Sequence, residues 1–304
     1  MNVKIPKRIA VVEVGPRDGL QNERVRLTTA DKIELVDRLS ATGLVTIEVS
    51  AFVSPKWVPQ MSDADQVFAG ITRRPGIRYT ALVPNLAGLE RARRAGVSEI
   101  SIFAASSETF SRKNINQGID ESLATYKAVC EAALAANLRV RGYLSTAFGC
   151  PYEGDVAPDK VAALTSRLLE LGVFEVAVSD TIGIAHPGQV SRVLDAILAR
   201  VPASLIALHF HDTRGTALAN VLTALPYDIA TFDASVGGLG GCPYAPGAAG
   251  NLATEDLIYM LDGLGVDTGV SLPVLSEASQ FVASRLDHPL PSRYAQAVAA
   301  KLNV

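Results

Sequence analysis

The sequence predicts an α/β protein, a (β/α)8 barrel with a short helical C-terminal addition, on three observations. Eight short runs of β-branched and aliphatic residues recur along the 304 residues, each followed by a polar loop and a longer stretch with helical spacing. The runs are almost continuously apolar rather than alternating, as parallel strands covered by helices should be. No Pro/Ser-rich or charge-rich linker interrupts the series. Average domain size would suggest two domains, but an α/β barrel takes roughly 250 residues as one unit.

The expected strands are 8–14, 44–49, 77–83, 98–104, 138–145, 174–180, 205–211 and 229–236. Helices are expected at 28–42, 61–70, 86–95, 120–137, 157–171, 187–200 and 215–225. Thr28 or Thr29 caps the first, Asp120 precedes the fourth, and Pro187 suits a first helical turn. After the eighth strand, helices near 254–264 and 271–286 and a tail should pack on the barrel. The expectation is therefore a single TIM-barrel domain over 1–304, with the barrel at about 8–265 and the extension at about 266–304. An open doubly wound sheet is the rival, but its first turn is usually G-x-G-x-x-G. Here that turn reads Gly15-Pro16-Arg17-Asp18-Gly19.

Composition narrows the function classes. With 28 Lys+Arg against 31 Asp+Glu, the net charge of −3 gives no electrostatic reason to bind nucleic acid or a membrane surface. Three cysteines are too few, and odd in number, for a secreted disulfide framework, so a cytoplasmic location is expected. No apolar stretch follows Met1–Arg8 before Glu13, which reads as no signal peptide, and no apolar run reaches about 18 residues. A charged content of 19% with 48% hydrophobic residues excludes disorder.

In such barrels, catalytic groups project from the C-terminal ends of the strands. Those positions carry Arg17 and Asp18 after strand 1, Glu48 in strand 2, Asp180 at strand 6, and His209 and His211 at strand 7. Residues two apart on a strand share a face, so both imidazoles of His209-Phe210-His211 can converge on one ion. The alternative is a half-buried pair bonded to nearby backbone. Asp18 would complete a two-histidine, one-carboxylate set suited to Mn²⁺, Fe²⁺, Zn²⁺ or Mg²⁺. Oxygen donors favour a hard ion. Arg17 is either an ion pair within a turn or a fixed donor for an oxyanion, a role that supplies about 2.7–4 kcal/mol. Glu48 and Asp180 either orient Arg17 or an imidazole, act as a base, or lie buried and satisfied.

Six glycines fall between Gly237 and Gly250. Within one domain this reads as a loop at the barrel mouth rather than a linker. Cys242 in that loop is a candidate proton donor or nucleophile. A second Gly-Cys-Pro-Tyr at 149–152 makes Cys150 its competitor, while Cys130 reads as helix filler.

Taken together, Val12–Glu23, Phe52–Met61, Lys113–Asn116, Gly149–Gly154, Asp180–Gly183, His209–Thr213 and the Gly-rich loop through Asp256 resemble the hydroxymethylglutaryl-CoA lyase family. These are metal-dependent barrel lyases related to Claisen-type synthases that share an Arg-Asp-Gly turn. The resemblance covers about residues 8–286. It implies cleavage of a 3-hydroxyacyl-CoA to acetyl-CoA and acetoacetate, chemistry of leucine degradation and ketone body formation. It also implies one Mg²⁺ or Mn²⁺ per chain held by Asp18, His209, His211 and Asn251, the last supplied by the resemblance alone. Arg17 would polarise the thioester carbonyl, Cys242 would transfer a proton, and Glu48, Asp180 and His209 would serve in orientation or proton transfer. Gln21, Lys113 and Asn114 join Arg17 as expected substrate contacts, with Arg112 and Lys113 the basic candidates for coenzyme A phosphates. Glu13 and Glu255 are supporting carboxylates, and a homodimer is expected. Ala51 and Arg214 depart from the family's usual Ser and Tyr, which bears on acyl-chain preference; a sister lyase acting on citramalyl-CoA is the alternative.

Overall fold

The eight strands pair in sequence order, all parallel, and close on themselves. They are β1 (Ala10–Glu13), β2 (Thr46–Ala51), β3 (Arg78–Leu82), β4 (Glu99–Ala105), β5 (Arg139–Ser145), β6 (Val176–Asp180), β7 (Ile206–Phe210) and β8 (Thr231–Ala234). Closure is the pairing of β1 with β8, in register from Ala10 against Thr231 to Glu13 against Ala234. The structure, a computed structural model, describes residues 5–241 and 250–302. Every residue of β2, β6 and β7 is buried, the double coverage that the unbroken apolar runs predicted.

The helices are α1 (Thr29–Leu39), α2 (Ala64–Gly70), α3 (Leu86–Arg94), α4 (Glu108–Ile115), α5 (Ile119–Ala135), α6 (Pro158–Glu170), α7 (Pro187–Leu198) and α8 (Ala217–Ala224). Thr28 caps α1 by accepting the Asp31 amide at 3.1 Å. Asp120 does not precede the helix expected there: α5 starts one residue earlier, Gly118 is its N-cap, and the Glu121 carboxylate accepts the Gly118 amide at 2.6 Å. Helix α4 was not expected. Its segment lacks a long apolar stripe, burying only Phe110 and Ser111, and its start is fixed by the Ser107 hydroxyl accepting the Phe110 amide. A polar single-turn cap of this kind leaves little periodic signal.

Beyond β8 come α9 (Thr254–Gly263), α10 (Leu272–Ala283) and α11 (Arg293–Leu302), so the expected tail is itself helical. Helix α10 packs on α1. Leu275, Ala278 and Val282 of α10 belong to the same buried core as Leu35, Val36 and Leu39 of α1. The extension therefore shares the barrel's core. Among the described residues no helix is long and apolar enough to cross a membrane. Because Leu275 is fully buried at this seam, Leu275→Ala should cost about 2–5 kcal/mol. Urea unfolding followed by circular dichroism should show the lower midpoint; an unchanged midpoint would mean α10 contributes nothing to the core.

Candidate active site

After β1 the chain makes a tight helical turn, Gly15–Gly19, in which the amides of Arg17, Asp18 and Gly19 all donate to the Val14 carbonyl at 3.2, 2.7 and 3.1 Å. The turn is pinned from beneath by Glu13. Its carboxylate accepts the Gly15 amide at 2.8 Å, the Val236 amide at 2.8 Å and the Thr254 hydroxyl at 2.7 Å. A Cβ on Gly15 would come within 2.6 Å of that carboxylate, so the close approach requires glycine. A second buried carboxylate, Glu255, accepts the Gly237 amide at 2.8 Å and the Ser279 hydroxyl. Burial pushes Glu13 up to about 7 and Glu255 up to about 8, against hydrogen bonds that favour their anions.

Asp18, His209 and His211 converge at the mouth, each offering one ligand atom within 4.8 Å of the others. The Nε2 atoms of His209 and His211 lie 3.9 and 3.8 Å from Asp18 Oδ2. His211 sits just past β7, in an antiparallel bridge with Asn251, and the Leu252 amide donates to the Phe210 carbonyl at 3.0 Å. This backbone pairing lays Asn251 beside the imidazoles. Its Nδ2 donates to Asp18 Oδ2 and to the Leu239 carbonyl, both at 3.0 Å. Gly240 makes room, since a Cβ there would meet Asn251 Nδ2 at 2.6 Å. The Asn251 Oδ1 is buried without a hydrogen-bond partner among the described residues, an orphaned acceptor that normally costs about 1–3 kcal/mol. Two imidazoles, a carboxylate and an unpaired amide oxygen fit a hard divalent ion. Burial disfavours the Asp18 anion, but Arg17, the His211 hydrogen bond and both imidazoles outweigh it and hold the carboxyl well below its usual range.

Arg17 is 6% exposed. Its Nε donates to Glu48 Oε2 and its Nη1 to Asp18 Oδ1, both at 2.5 Å. The guanidinium lies 5.4 Å from the Tyr143 ring centroid. Burial opposes its charge, but Glu48 and Asp18 override that and raise its pKa. Asp180 stands apart from this clamp. Its oxygens accept the Ile184 and Ala185 amides at 2.9 and 3.0 Å, fixing the loop after β6, and burial raises its pKa.

Gln21 is half-buried just after the β1 turn, and Lys113 and Asn114 are exposed on α4. Lys113 Nζ lies 4.2 Å from the Tyr152 ring centroid, whereas Arg112 is paired with Glu108 at 2.9 Å. Arg214 donates to the Ile182 and Gly183 carbonyls, and Ala51 is buried at the end of β2. Cys242 lies outside the described residues. Cys150 is buried, its Sγ 2.9 Å from the Ser107 hydroxyl, and burial pushes the Cys130 thiol up to about 12.

Sequence reasoning missed Arg141, Tyr143 and Asp233. Arg141 donates to both oxygens of Asp233, at 2.8 and 3.1 Å, and to Glu175 at 2.8 Å. Asp233 Oδ2 lies 3.3 Å from His209 Nδ1, and Tyr143 donates to Glu48 at 3.3 Å. Burial opposes ionisation of Asp233, yet Arg141 and His209 keep its pKa lowered. The available signal was a charged residue inside an apolar run: Asp233, the lone charge in 229–236, and Arg141, which shares 138–145 with Arg139.

A closed parallel barrel that gathers such a cluster and a buried arginine at its strand ends is the build of a barrel enzyme. A family model described as HMGL-like matches residues 8–282, and the chain belongs to that family. It is 54% identical over 291 residues to a hydroxymethylglutaryl-CoA lyase of Bacillus subtilis, covering 96% of this chain and 97% of the relative. A Pseudomonas aeruginosa relative, 3-hydroxy-3-isohexenylglutaryl-CoA/hydroxy-methylglutaryl-CoA lyase, is 52% identical over 299 residues, covering 98% of this chain and 100% of the relative. The crystal structure of a hydroxymethylglutaryl-CoA lyase from Pseudomonas aeruginosa superposes with a TM-score of 0.96 at 52% identity, over 98% of this chain and 99% of that one.

The two buried carboxyls bind protons in the folded protein at pH values where the unfolded chain has released them. Their raised pKa values of about 7 and about 8 make this contribution to stability full below about pH 4.5 and progressively lost up to about pH 8. Glu255→Gln, which stays neutral, should flatten the fall in stability between pH 5 and pH 8. Denaturant titrations at several pH values test this; an unchanged slope contradicts it.

Proposed function

We propose that the protein is a divalent-metal-dependent carbon–carbon lyase cleaving 3-hydroxy-3-methylglutaryl-CoA to acetyl-CoA and acetoacetate. The observation that carries this reading is the buried Arg17, clamped by Glu48 and Asp18 and joined through Asp18 to the Asp18–His209–His211–Asn251 cluster. In a retro-Claisen-type cleavage the C3 hydroxyl loses its proton and becomes the ketone of acetoacetate. The electron pair of the C2–C3 bond passes to the thioester as an enolate, which is then protonated to acetyl-CoA.

Asp18, His209, His211 and Asn251 would hold one Mg²⁺ or Mn²⁺, which when bound would supply Lewis-acid charge that raises the acidity of the tertiary hydroxyl. Arg17, with Nε and Nη1 committed to carboxylates, directs its remaining N–H groups at the thioester oxygen, where the negative charge develops. Glu48 holds that guanidinium in place, and Asp180 fixes the loop after β6. Cys242 gives a proton to the enolate carbon. Gln21, Lys113 and Asn114 contact the acyl-CoA, and Glu13 and Glu255 keep the β1 turn and the base of the Gly-rich loop in register. The barrel and its C-terminal helices act as one catalytic domain. The products fit leucine degradation and ketone body formation, in a cytoplasmic homodimer; the unpaired Cys130 and Cys150 accord with a reducing compartment.

The deciding assay supplies purified protein and Mg²⁺ or Mn²⁺ with the methylglutaryl thioester. Citramalyl-CoA and the 3-isohexenylglutaryl thioester are run in parallel, the latter because the Pseudomonas aeruginosa relative is named for it. Acetoacetate from the methylglutaryl substrate is expected, and its absence sinks the assignment. Arg17→Gln should lower kcat by about 10²–10³-fold, the usual effect of losing one oxyanion donor. Cys242→Ser should cost far more kcat than Cys150→Ser, and equal losses would refute the proton-donor role.

A further inference from the structure

We infer that Asp233, locked by Arg141, is a positioning residue that fixes the tautomer of His209 and so presents its Nε2 lone pair to the metal site. Asp233 is on β8, is 1% exposed, and is not one of the proposed ligands. Its Oδ1 accepts from Arg141 Nη2 at 2.8 Å, and its Oδ2 accepts from Arg141 Nη1 at 3.1 Å. This two-pronged contact with an always-charged guanidinium keeps Asp233 a carboxylate, which can only accept. The His209 Nδ1, 3.3 Å from Oδ2, must therefore be the donor. A neutral imidazole protonated at Nδ1 carries its lone pair on Nε2, the atom on the side of Asp18 and His211. His211 has no such partner: its Nδ1 is buried and unbonded among the described residues. The two imidazoles are thus unequal, and His209 is the one oriented in advance.

Arg141 is itself held from a second side. It donates to Glu175 at 2.8 Å and to the Tyr143 hydroxyl at 3.2 Å, and Tyr143 in turn donates to Glu48, the partner of Arg17. One buried guanidinium on β5 thereby supports both the histidine on β7 and the carboxylate that clamps Arg17. Carboxylates bonded to a ligating imidazole usually alter metal affinity by about 10–100-fold when removed.

This inference rests on the ligand set proposed above, and its test separates the two. Mn²⁺ binding to metal-free protein is measured by electron paramagnetic resonance, for the parent and for Asp233→Asn. Either orientation of the Asn amide sets an amide N–H against a guanidinium N–H and removes the negative charge behind His209. Binding should weaken by about 10–100-fold, and excess Mn²⁺ should restore much of kcat, which a purely structural defect would not allow. Binding within twofold of the parent overturns the role of Asp233 while leaving the ligand set intact. No Mn²⁺ uptake by the parent overturns the ligand set and the inference with it. The unsubstituted protein provides a check that survives misfolding of the variant. The chain has only four histidines, so ¹⁵N spectra of the metal-free parent, assigned with a His209→Gln sample, should show the His209 proton on Nδ1. A proton on Nε2 overturns the inference.

Discussion

Asp18 turns its two oxygens in opposite directions, Oδ1 to the Arg17 guanidinium and Oδ2 to the Asn251 amide and the two imidazoles. Taking a charge this far out of water costs several kcal/mol unless other charges and dipoles replace the solvent. Arg17 makes the carboxylate affordable on one side, and the donor cluster completes it on the other. The electrophilic arginine and the cation site are therefore two faces of one ionised group. A shift of either leaves the Asp18 charge short of a partner on that side.

The same requirement runs down through the barrel. Arg17, Glu48, Tyr143, Arg141, Asp233 and His209 form a continuous chain of contacts across β2, β5, β7 and β8 from the β1 turn. Each buried charge in it has an opposite partner within hydrogen-bond reach. The paired members of this network fix orientations that a solvated site would leave to rotamer freedom, while Glu48 Oε1 is buried without a hydrogen-bond partner among the described residues. Catalytic geometry of this kind depends on donors that need not reorganise as charge develops.

A second pair of carboxylates holds the backbone that carries these side chains. Glu13 ties the β1 turn to the end of β8 and to Thr254, while Glu255 ties the adjoining Gly237 to Ser279 of α10. The C-terminal helices thus reach the site through Glu255. Leu290 packs where a side chain on Gly237 would have to stand, and the Ser292 amide donates to the Gly237 carbonyl at 3.0 Å. What began as an addition to a barrel proves to brace the base of its Gly-rich loop.

By itself the sequence determined the barrel, because apolar runs and helical stripes are local periodicities that survive in a linear reading. It also determined the His209–His211 pair, since spacing along one strand sets a shared face. Arg17, Asp18, Glu48 and Asp180 were legible as polar residues within apolar strands, at their ends or in the turn that follows. Helix α4 and the cap of α5 were not, because short polar turns leave no period. No local pattern brings Asn251, 233 residues away, to Asp18; the resemblance implied that pairing and the tertiary structure shows the contact, and only the tertiary structure decided that Asp233 rather than Asp180 stands behind His209. The first contact spans the closing seam between β1 and β8, and the second joins neighbouring strands, with His209 of β7 opposite Asp233 of β8. Which side chains face each other there is set by the registers of β1 against β8 and of β7 against β8 and by the antiparallel bridge at His211, and none of these is written in any local stretch of chain.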